Sequence, residues 1–278
     1  DARFKQSIVD AMSRPAEGKP WHEYRPIFIT DKRIKGGIKF WQENQELVAQ
    51  AAEKFGVDPH IIVAIIGVET FYGRITGSYR VLDALTTLSF YYPDTGNDRS
   101  AFFSKELMNF VLLGSEEGLP LREVTGSYAG AMGLGQFMPS SYREYAVDMD
   151  GDGRRDLWSS MSDVIGSVAN YLHRHGWQPG QPITYPATVA EDADMDLVTR
   201  RKFKPEMTVD DLAMAGFTPT TEVDGATGAA VTRLAEEDGD AYFMTFKNFY
   251  VITRYNRSPL YAMAVYELSE AIRKGFEG

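Results

Sequence analysis

Apolar positions along the chain recur at helical spacing in several stretches, set apart by glycine, proline and short polar runs. From Gln42 to Phe55 the pattern Leu47, Val48, Ala51, Ala52, Phe55 predicts a helix that Gly56 ends. Asp58 and Pro59 follow as N-cap and first-turn proline, and they launch IIVAIIGVETFYGRITG, Ile61 to Gly77. Apolar on every side from Ile61 to Val68, this helix belongs in the interior, and Gly73 and Gly77 mark its end. Further helices are predicted from Phe102 to Leu113 and from Ser162 to His175. The second is capped by Ser162 or Asp163, with Val164, Ile165, Val168, Tyr171 and Leu172 on its inner face. A glycine-rich stretch, GSYAGAMGLGQFMPSSY, separates the two. Beyond Trp177 the texture changes to Pro, Thr, Asp and short Val-bearing runs. Within it only MTVDDLAMAGF reads as helical, with Thr208 and Asp211 placed as a capping box. This region reads as a small β-containing insertion. The aromatic, partly alternating AYFMTFKNFYVITRYN follows it, and Ser258-Pro259 opens a last amphipathic helix to about Phe276. The fold class is mainly α, in an α+β arrangement.

Composition narrows the function more than the fold. The 278 residues can bury a sizeable core, and 44% hydrophobic with 24% charged content is ordinary for a globular protein. A net charge of -10 argues against nucleic acid as partner and against a basic membrane-surface patch. No run approaches the roughly 18 apolar residues of a transmembrane helix. Absence of cysteine removes disulfides, thiolate metal sites and Cys nucleophiles together. The chain begins at Asp1, so a targeting or lipid-bearing segment upstream would leave no trace.

Glu69 interrupts the aliphatic run, and it carries the first chemical question. A helix-terminal carboxylate turned to solvent is the plain reading, since most glutamates are exposed. On a helix, however, its neighbours are Ile65, Ile66, Tyr72 and Gly73. Loss of solvation against such a wall is expected to raise its pKa and let it hold a proton near neutral pH, as a general acid must. Glycosidases pair such an acid with a second carboxylate. None stands out here: the polar residues of the glycine-rich and aromatic segments are Ser127, Gln136, Ser140, Ser141 and Asn248. If Glu69 acts, it acts alone, and the substrate supplies the nucleophile.

The second signal is DMDGDGRRDLWSS. Asp148, Asp150 and Asp152 occupy positions 1, 3 and 5 of a calcium loop, with Gly153 at the sharp turn. Arg154 would offer its carbonyl at position 7, and Asp156 stands at position 9. Ser159 departs from the usual bidentate Glu at position 12, and Asp163 is the candidate to close the site. A solvated acidic turn is the alternative. As a single loop, the site would be structural.

These stretches together carry a resemblance. GVETFYGRITG, LDALTTLSFYYP, GSYAGAMGLGQFMPSSYREYAVDMDGDG, LWSSMSDVIGSVANYLHRHGW and NFYVITRYNRSPLYAMAVYEL resemble the lytic murein transglycosylase B family from about Trp21 to Phe276. The match is weaker from Pro179 to Asp240. The resemblance implies a lysozyme-like core with a flanking helical domain and a small β-containing domain. Residues 1–52, with 104–120 and 264–278, form the helical domain. The catalytic core takes 53–103, 121–182 and 245–263, including the calcium loop, and 183–244 form the β-containing domain. The implied activity is cleavage of the β-1,4 bond between N-acetylmuramic acid and N-acetylglucosamine in peptidoglycan. No water enters, and 1,6-anhydromuramic ends result because the muramic C6 hydroxyl attacks. Glu69 is implied as acid and then base, while the substrate acetamido group steadies the positive charge between the two steps.

Residues matching the family motifs are implied to bind substrate. They are Ser127, Gln136, Phe137, Tyr171, Tyr250 and Tyr255, with Arg99, Tyr24 and Met132 joining them. Arg99 would meet a peptide or lactyl carboxylate, although this chain carries a longer PDTGNDR loop before it. The implied metal ligands are Asp148, Asp150, Asp152, Arg154 and Asp163, and the spacer after Trp158 is one residue longer than in the family pattern. Calcium is the one expected cofactor. Peptidoglycan glycan strands are the expected partner, with other cell-wall enzymes as further candidates. The implied location is the periplasm of a Gram-negative bacterium, either as a soluble form or held to the outer membrane by a lipid borne outside this sequence. A hydrolytic muramidase and a non-catalytic peptidoglycan-binding scaffold are the alternatives.

Overall fold

The computed structural model describes residues 2–14, 18–199 and 203–278. Five helices come first: α1 (Gln6–Met12), α2 (Trp21–Phe28), α3 (Asp31–Glu43), α4 (Gln45–Phe55) and α5 (Pro59–Thr70). A short strand β1 (Tyr79–Arg80) leads into α6 (Val81–Phe90) and α7 (Ser100–Glu117). Then come β2 (Thr125–Gly126), α8 (Pro139–Tyr145) and α9 (Met161–Arg174). The β-containing region holds β3 (Thr184–Val189), α10 (Asp196–Thr199), β4 (Met207–Thr208), α11 (Val209–Met214), β5 (Phe217–Pro219), β6 (Gly228–Glu236) and β7 (Gly239–Thr245). Two helices, α12 (Lys247–Tyr255) and α13 (Pro259–Glu277), complete the chain.

The aliphatic run behaves as its composition requires. Ile61 to Val68 are all buried, and α13, α3, α4 and α9 pack around α5. Gly67 is there for contact. A Cβ at that position would stand 2.5 Å from the Tyr72 hydroxyl, which donates to the Arg33 carbonyl at 2.9 Å. Five antiparallel strands in the order β4-β6-β7-β3-β5 form the larger sheet, with Val231 opposite Met244. Buried side chains fall into two clusters. The larger runs through the helices, and the smaller gathers Val209, Leu212, Phe217, Val231, Met244 and Phe246 in the sheet region.

Local capping departs from expectation in three places. The helix predicted from Gln42 is divided at Asn44, whose φ of -122° breaks the turn and whose side-chain amide donates to the Phe40 carbonyl. Asp58 stands at the start of α5 but makes no cap bond, because its carboxylate accepts the Trp177 indole N–H at 2.9 Å. The cap of α9 is Ser160, not Ser162 or Asp163: its hydroxyl accepts from the Asp163 amide, while Asp163 turns its carboxylate into the preceding loop. The capping box at Thr208 and Asp211 is present as expected.

Candidate active site

Glu69 lies in the last turn of α5, partly buried, where the helix meets the glycine-rich strap. Thr70 fixes that meeting. Its hydroxyl donates to the Leu134 carbonyl at 2.9 Å and accepts from the Gly73 amide at 3.0 Å. Beyond it the chain leaves the helix through Phe71 and Tyr72, both left-handed at φ 52° and 60°. The strap answers with Gln136, also left-handed at φ 50°, whose side-chain amide donates to the carbonyls of Gly133 (2.8 Å) and Thr76 (3.2 Å). Contact between strap and loop is close: a Cβ on Gly77 would stand 2.1 Å from the Gly126 carbonyl oxygen.

One carboxylate oxygen of Glu69 accepts the Tyr261 hydroxyl at 2.6 Å. Tyr261 is buried in the first turn of α13, where Ser258 caps the helix by accepting the Tyr261 amide. Its ring stacks 6.5 Å from that of Tyr255, and Tyr255 stands 4.6 Å from Tyr171. The Tyr255 hydroxyl donates to the Gly135 carbonyl at 2.6 Å, and that of Tyr171 to the Arg254 carbonyl at 2.5 Å. Burial pushes the phenols of Tyr261 and Tyr255 well above the ordinary tyrosine range, and the Glu69 charge adds to it. Tyr171 is raised as well, first by burial. All three therefore remain protonated donors at any physiological pH.

The other expected binding residues divide. Ser127 is partly buried in the strap, its hydroxyl oxygen accepting the amides of Ala129 (3.2 Å) and Ala131 (3.1 Å). Its own proton is not used in either bond. Phe137 packs at 5.8 Å and 5.7 Å from the rings of Tyr171 and Tyr255, beneath the site. Phe137, Met132 and Tyr24 are buried core residues, at 2%, 0% and 1% exposure. These three, implied by the resemblance to bind substrate, are thus core side chains here, Met132 being turned inward by the backbone pairing that joins it to Gly126 and Phe137. Tyr24 stacks between Trp21 and Phe28. Tyr250 is half-buried with Lys247 and Arg254 over its ring. Arg99 lies at the start of α7 over Phe102 and Phe103, exposed, and the contacts it makes are to those rings. Asn248 is wholly structural: buried, it pins the backbone at Gln178 and Gln181. Tyr261 was not among the residues singled out from the sequence. The signal was its place in the first turn of a Ser-Pro-capped helix, close behind Tyr255.

In the acidic loop, oxygens of Asp148, Asp150 and Asp163 lie within 4.8 Å of one another. Asp148 accepts the amides of Gly151 and Gly153, at 2.7 and 2.8 Å, and so folds the turn around itself. Asp163 is fully buried and accepts the amides of Met149 and Asp156, each at 2.8 Å. Burial holds its carboxyl above the usual range, against the pull of those amides, and the Asp150 charge pushes the same way as burial. Converging hard oxygens around a buried acid suit a hard cation. Asp152 and Asp156 are engaged elsewhere: Asp152 accepts the Arg154 amide, and Asp156 the amides of Trp158 and Ser159.

Partly buried and bonded to a phenol in a lysozyme-like helical fold, the Glu69 carboxylate has the surroundings that glycoside chemistry asks of an acid–base group. The comparisons give the family. The family described as transglycosylase SLT domain matches residues 1–270. The chain is 44% identical over 252 residues to membrane-bound lytic murein transglycosylase B of Escherichia coli (strain K12), covering 91% of this chain and 67% of that protein. It is similar to the crystal structure of soluble lytic transglycosylase SltB1 from Pseudomonas aeruginosa, with a TM-score of 0.90 and 49% identity. That match covers 100% of this chain and 91% of the other. It is also similar to the Escherichia coli lytic transglycosylase Slt35 solved in complex with calcium, with a TM-score of 0.86 and 40% identity over 100% of this chain and 86% of that one. The chain belongs to the transglycosylase SLT domain family.

Proposed function

We propose that the protein is a lytic transglycosylase that cleaves the β-1,4 bond between N-acetylmuramic acid and N-acetylglucosamine in peptidoglycan and leaves 1,6-anhydromuramic ends. The observation that carries this reading is the single carboxylate. Among the described residues, Glu69 is the one carboxylate whose charge acts on Tyr171, Tyr255 and Tyr261 alike. A retaining or inverting hydrolase needs a second acid facing the first, as nucleophile or as base for water. With one, the attacking group has to come from the sugar.

In the first step the Glu69 carboxyl gives its proton to the leaving glycosidic oxygen. In the second the carboxylate takes the proton of the muramic C6 hydroxyl as that oxygen closes on C1, so the proton count is restored without water. Tyr261 donates to the carboxylate that exists between the two steps. Ser127 and Gln136 stand in the strap that meets the loop after the Glu69 helix, and Tyr250 and Arg99 are the more exposed candidates for outlying contacts with the strand. Tyr171, Tyr255, Phe137, Met132 and Tyr24 support the site from beneath.

The acidic loop we read as a calcium site, because its converging carboxylates fit that ion and a relative was solved with it. Asp148, Asp150 and Asp163 would hold the ion, with Asp152 and the Arg154 carbonyl as further loop candidates. Bound there, calcium supplies charge neutralisation and a fixed loop. The division into a helical domain, a lysozyme-like core and a β-containing domain is part of the same proposal. So is a periplasmic location. No helix among the described residues is long and apolar enough to cross a membrane.

The test is the chemistry of the product end. Mass spectrometry of digested sacculi is expected to find anhydromuramic ends, lighter by one water than the reducing ends of a muramidase. Glu69→Gln should abolish their release while leaving the fold and glycan binding intact. Reducing ends from the wild type would sink the mechanism, and a Gln variant of near-normal rate would sink the assignment.

A further inference from the structure

Just beyond Glu69 the chain presents an aromatic ring ringed by cations. Tyr72, its hydroxyl bonded to the Arg33 carbonyl, fills a slot against Gly36, Gly37 and Gly67. With Tyr72 anchored there and Phe71 left-handed before it, the Phe71 ring meets α3. The guanidinium of Arg74 lies 4.8 Å from its centroid, that of Arg33 4.9 Å, and the Lys32 ammonium 5.7 Å. Arg33 also reaches the Phe28 ring at 5.2 Å, and Phe28 stands 5.1 Å from Tyr24. The Phe71 ring that gathers these cations follows Glu69 by two residues, at the left-handed exit of the same helix.

Among the described residues the cluster's charges lack counter-ions. Elsewhere the arginines of this acidic chain pair readily: Arg25 with Glu267, Arg80 with Asp83, Arg143 with Glu116, Arg174 with Glu144. Among the described residues no carboxylate pairs with Lys32, Arg33 or Arg74. Arg33 is half-buried, and its Nε is buried without a hydrogen-bond partner. One of its terminal nitrogens donates to the Gly67 carbonyl at 3.2 Å. A partly desolvated cation is costly unless an anion meets the part of it that remains exposed.

We propose that Lys32, Arg33 and Arg74, gathered on the Phe71 ring, form a subsite for the carboxylates of the peptide stem carried by the muramic sugar. This rests on the peptidoglycan reading above and adds to it a preference for peptide-bearing over bare glycan. The guanidinium fork of Arg33 and the exposed ends of Lys32 and Arg74 suit a flexible anionic chain, and the ring holds them in place.

The test compares wild type with the double variant Lys32→Ala, Arg74→Ala, both positions being exposed. The substrates are peptide-bearing sacculi and the same glycan stripped of its peptides by an amidase. On the peptide-bearing polymer the cleavage rate at low substrate is expected to fall about tenfold, the loss for two charged contacts of modest strength. On stripped glycan it should stay within about twofold of wild type. Sedimentation with each polymer reads the same contrast without turnover. Equal falls on both polymers, or no fall on either, overturn the subsite. The contrast is a ratio between polymers, so it stands or falls separately from whether the ends are anhydro or reducing.

Discussion

Removing the hydroxyl of Tyr261 isolates what the phenol does for Glu69. Tyr261→Phe keeps the ring, which is 2% exposed and stacked near Tyr255, and deletes the O–H that meets the carboxylate at 2.6 Å. A hydrogen bond to a charged acceptor is worth about 1.5–3 kcal/mol. On the proposed mechanism Glu69 is an anion between the two proton transfers. The bond is therefore stronger after the first transfer than before it, and that difference lowers the barrier. If half to all of it is expressed in the transition state, kcat falls roughly 4- to 150-fold, at 1.36 kcal/mol per decade. KM should move little, since the hydroxyl faces the acid rather than the glycan. Stability should also move little, because Glu69 is only partly buried and water can replace the lost donor. The assay is the initial rate of anhydromuropeptide release across substrate concentrations, beside thermal melts of both proteins. A variant with wild-type kcat would refute the argument. So would a loss that appears wholly in KM, or one that tracks a lowered melting temperature.

Two further outcomes follow from groups away from the acid. Calcium at about 100 times its dissociation constant should stabilise the protein by about 2.7 kcal/mol, a rise of roughly 5–10 °C in Tm, and Asp150→Ala should remove the shift; no calcium-dependent change in the wild type would count against a metal in the loop. Burial holds the imidazole of His60 below its ordinary range, with the Glu270 and Asp58 carboxylates only partly opposing it, so at neutral pH its 3.6 Å contact with Glu270 is polar rather than ionic. The unfolded chain then takes up this proton first. Stability is complete above about pH 6.5 and declines as pH falls from there through the lower folded value. Melts from pH 7.5 to 5 should show that decline, reduced in His60→Asn; equal slopes in the two proteins would refute the assignment.

What could be read from the chain follows from which interactions are local. Glu69 stands out because a charge ends a wholly aliphatic run, and the run's burial needs no tertiary information. The capping box at Thr208 and the Ser-Pro start of α13 are local in the same sense. Tyr261 is separated from Glu69 by 192 residues, and nothing around it distinguishes a phenol that donates to an acid from one that packs. Asp58 looks like a cap from its neighbours alone, but Trp177, far along the chain, claims its carboxylate. Met132 and Phe137 carry the same ambiguity. A motif shows that an apolar residue is near a site, whereas the backbone pairing of the strap decides whether it faces the glycan or the core.

The strained backbone shows how the fold and the chemistry depend on each other. Among the described residues, the non-glycine positions at positive φ are Phe71, Tyr72 and Gln136, and all three border the end of the Glu69 helix. Each left-handed residue costs about 1–2 kcal/mol, which a loosely packed loop would relieve by rearranging. Here rearrangement is blocked. Tyr72 is locked in its glycine slot, Gln136 is tied to the Thr76 carbonyl, and Thr70 joins helix to strap. On the proposed mechanism, such a frame keeps Glu69 where one group can serve the leaving oxygen and then the C6 hydroxyl. A two-carboxylate enzyme divides those tasks between residues, but an enzyme with one must keep a single group in register for both. On that reading, rigidity at the helix end is the structural counterpart of working with one carboxylate.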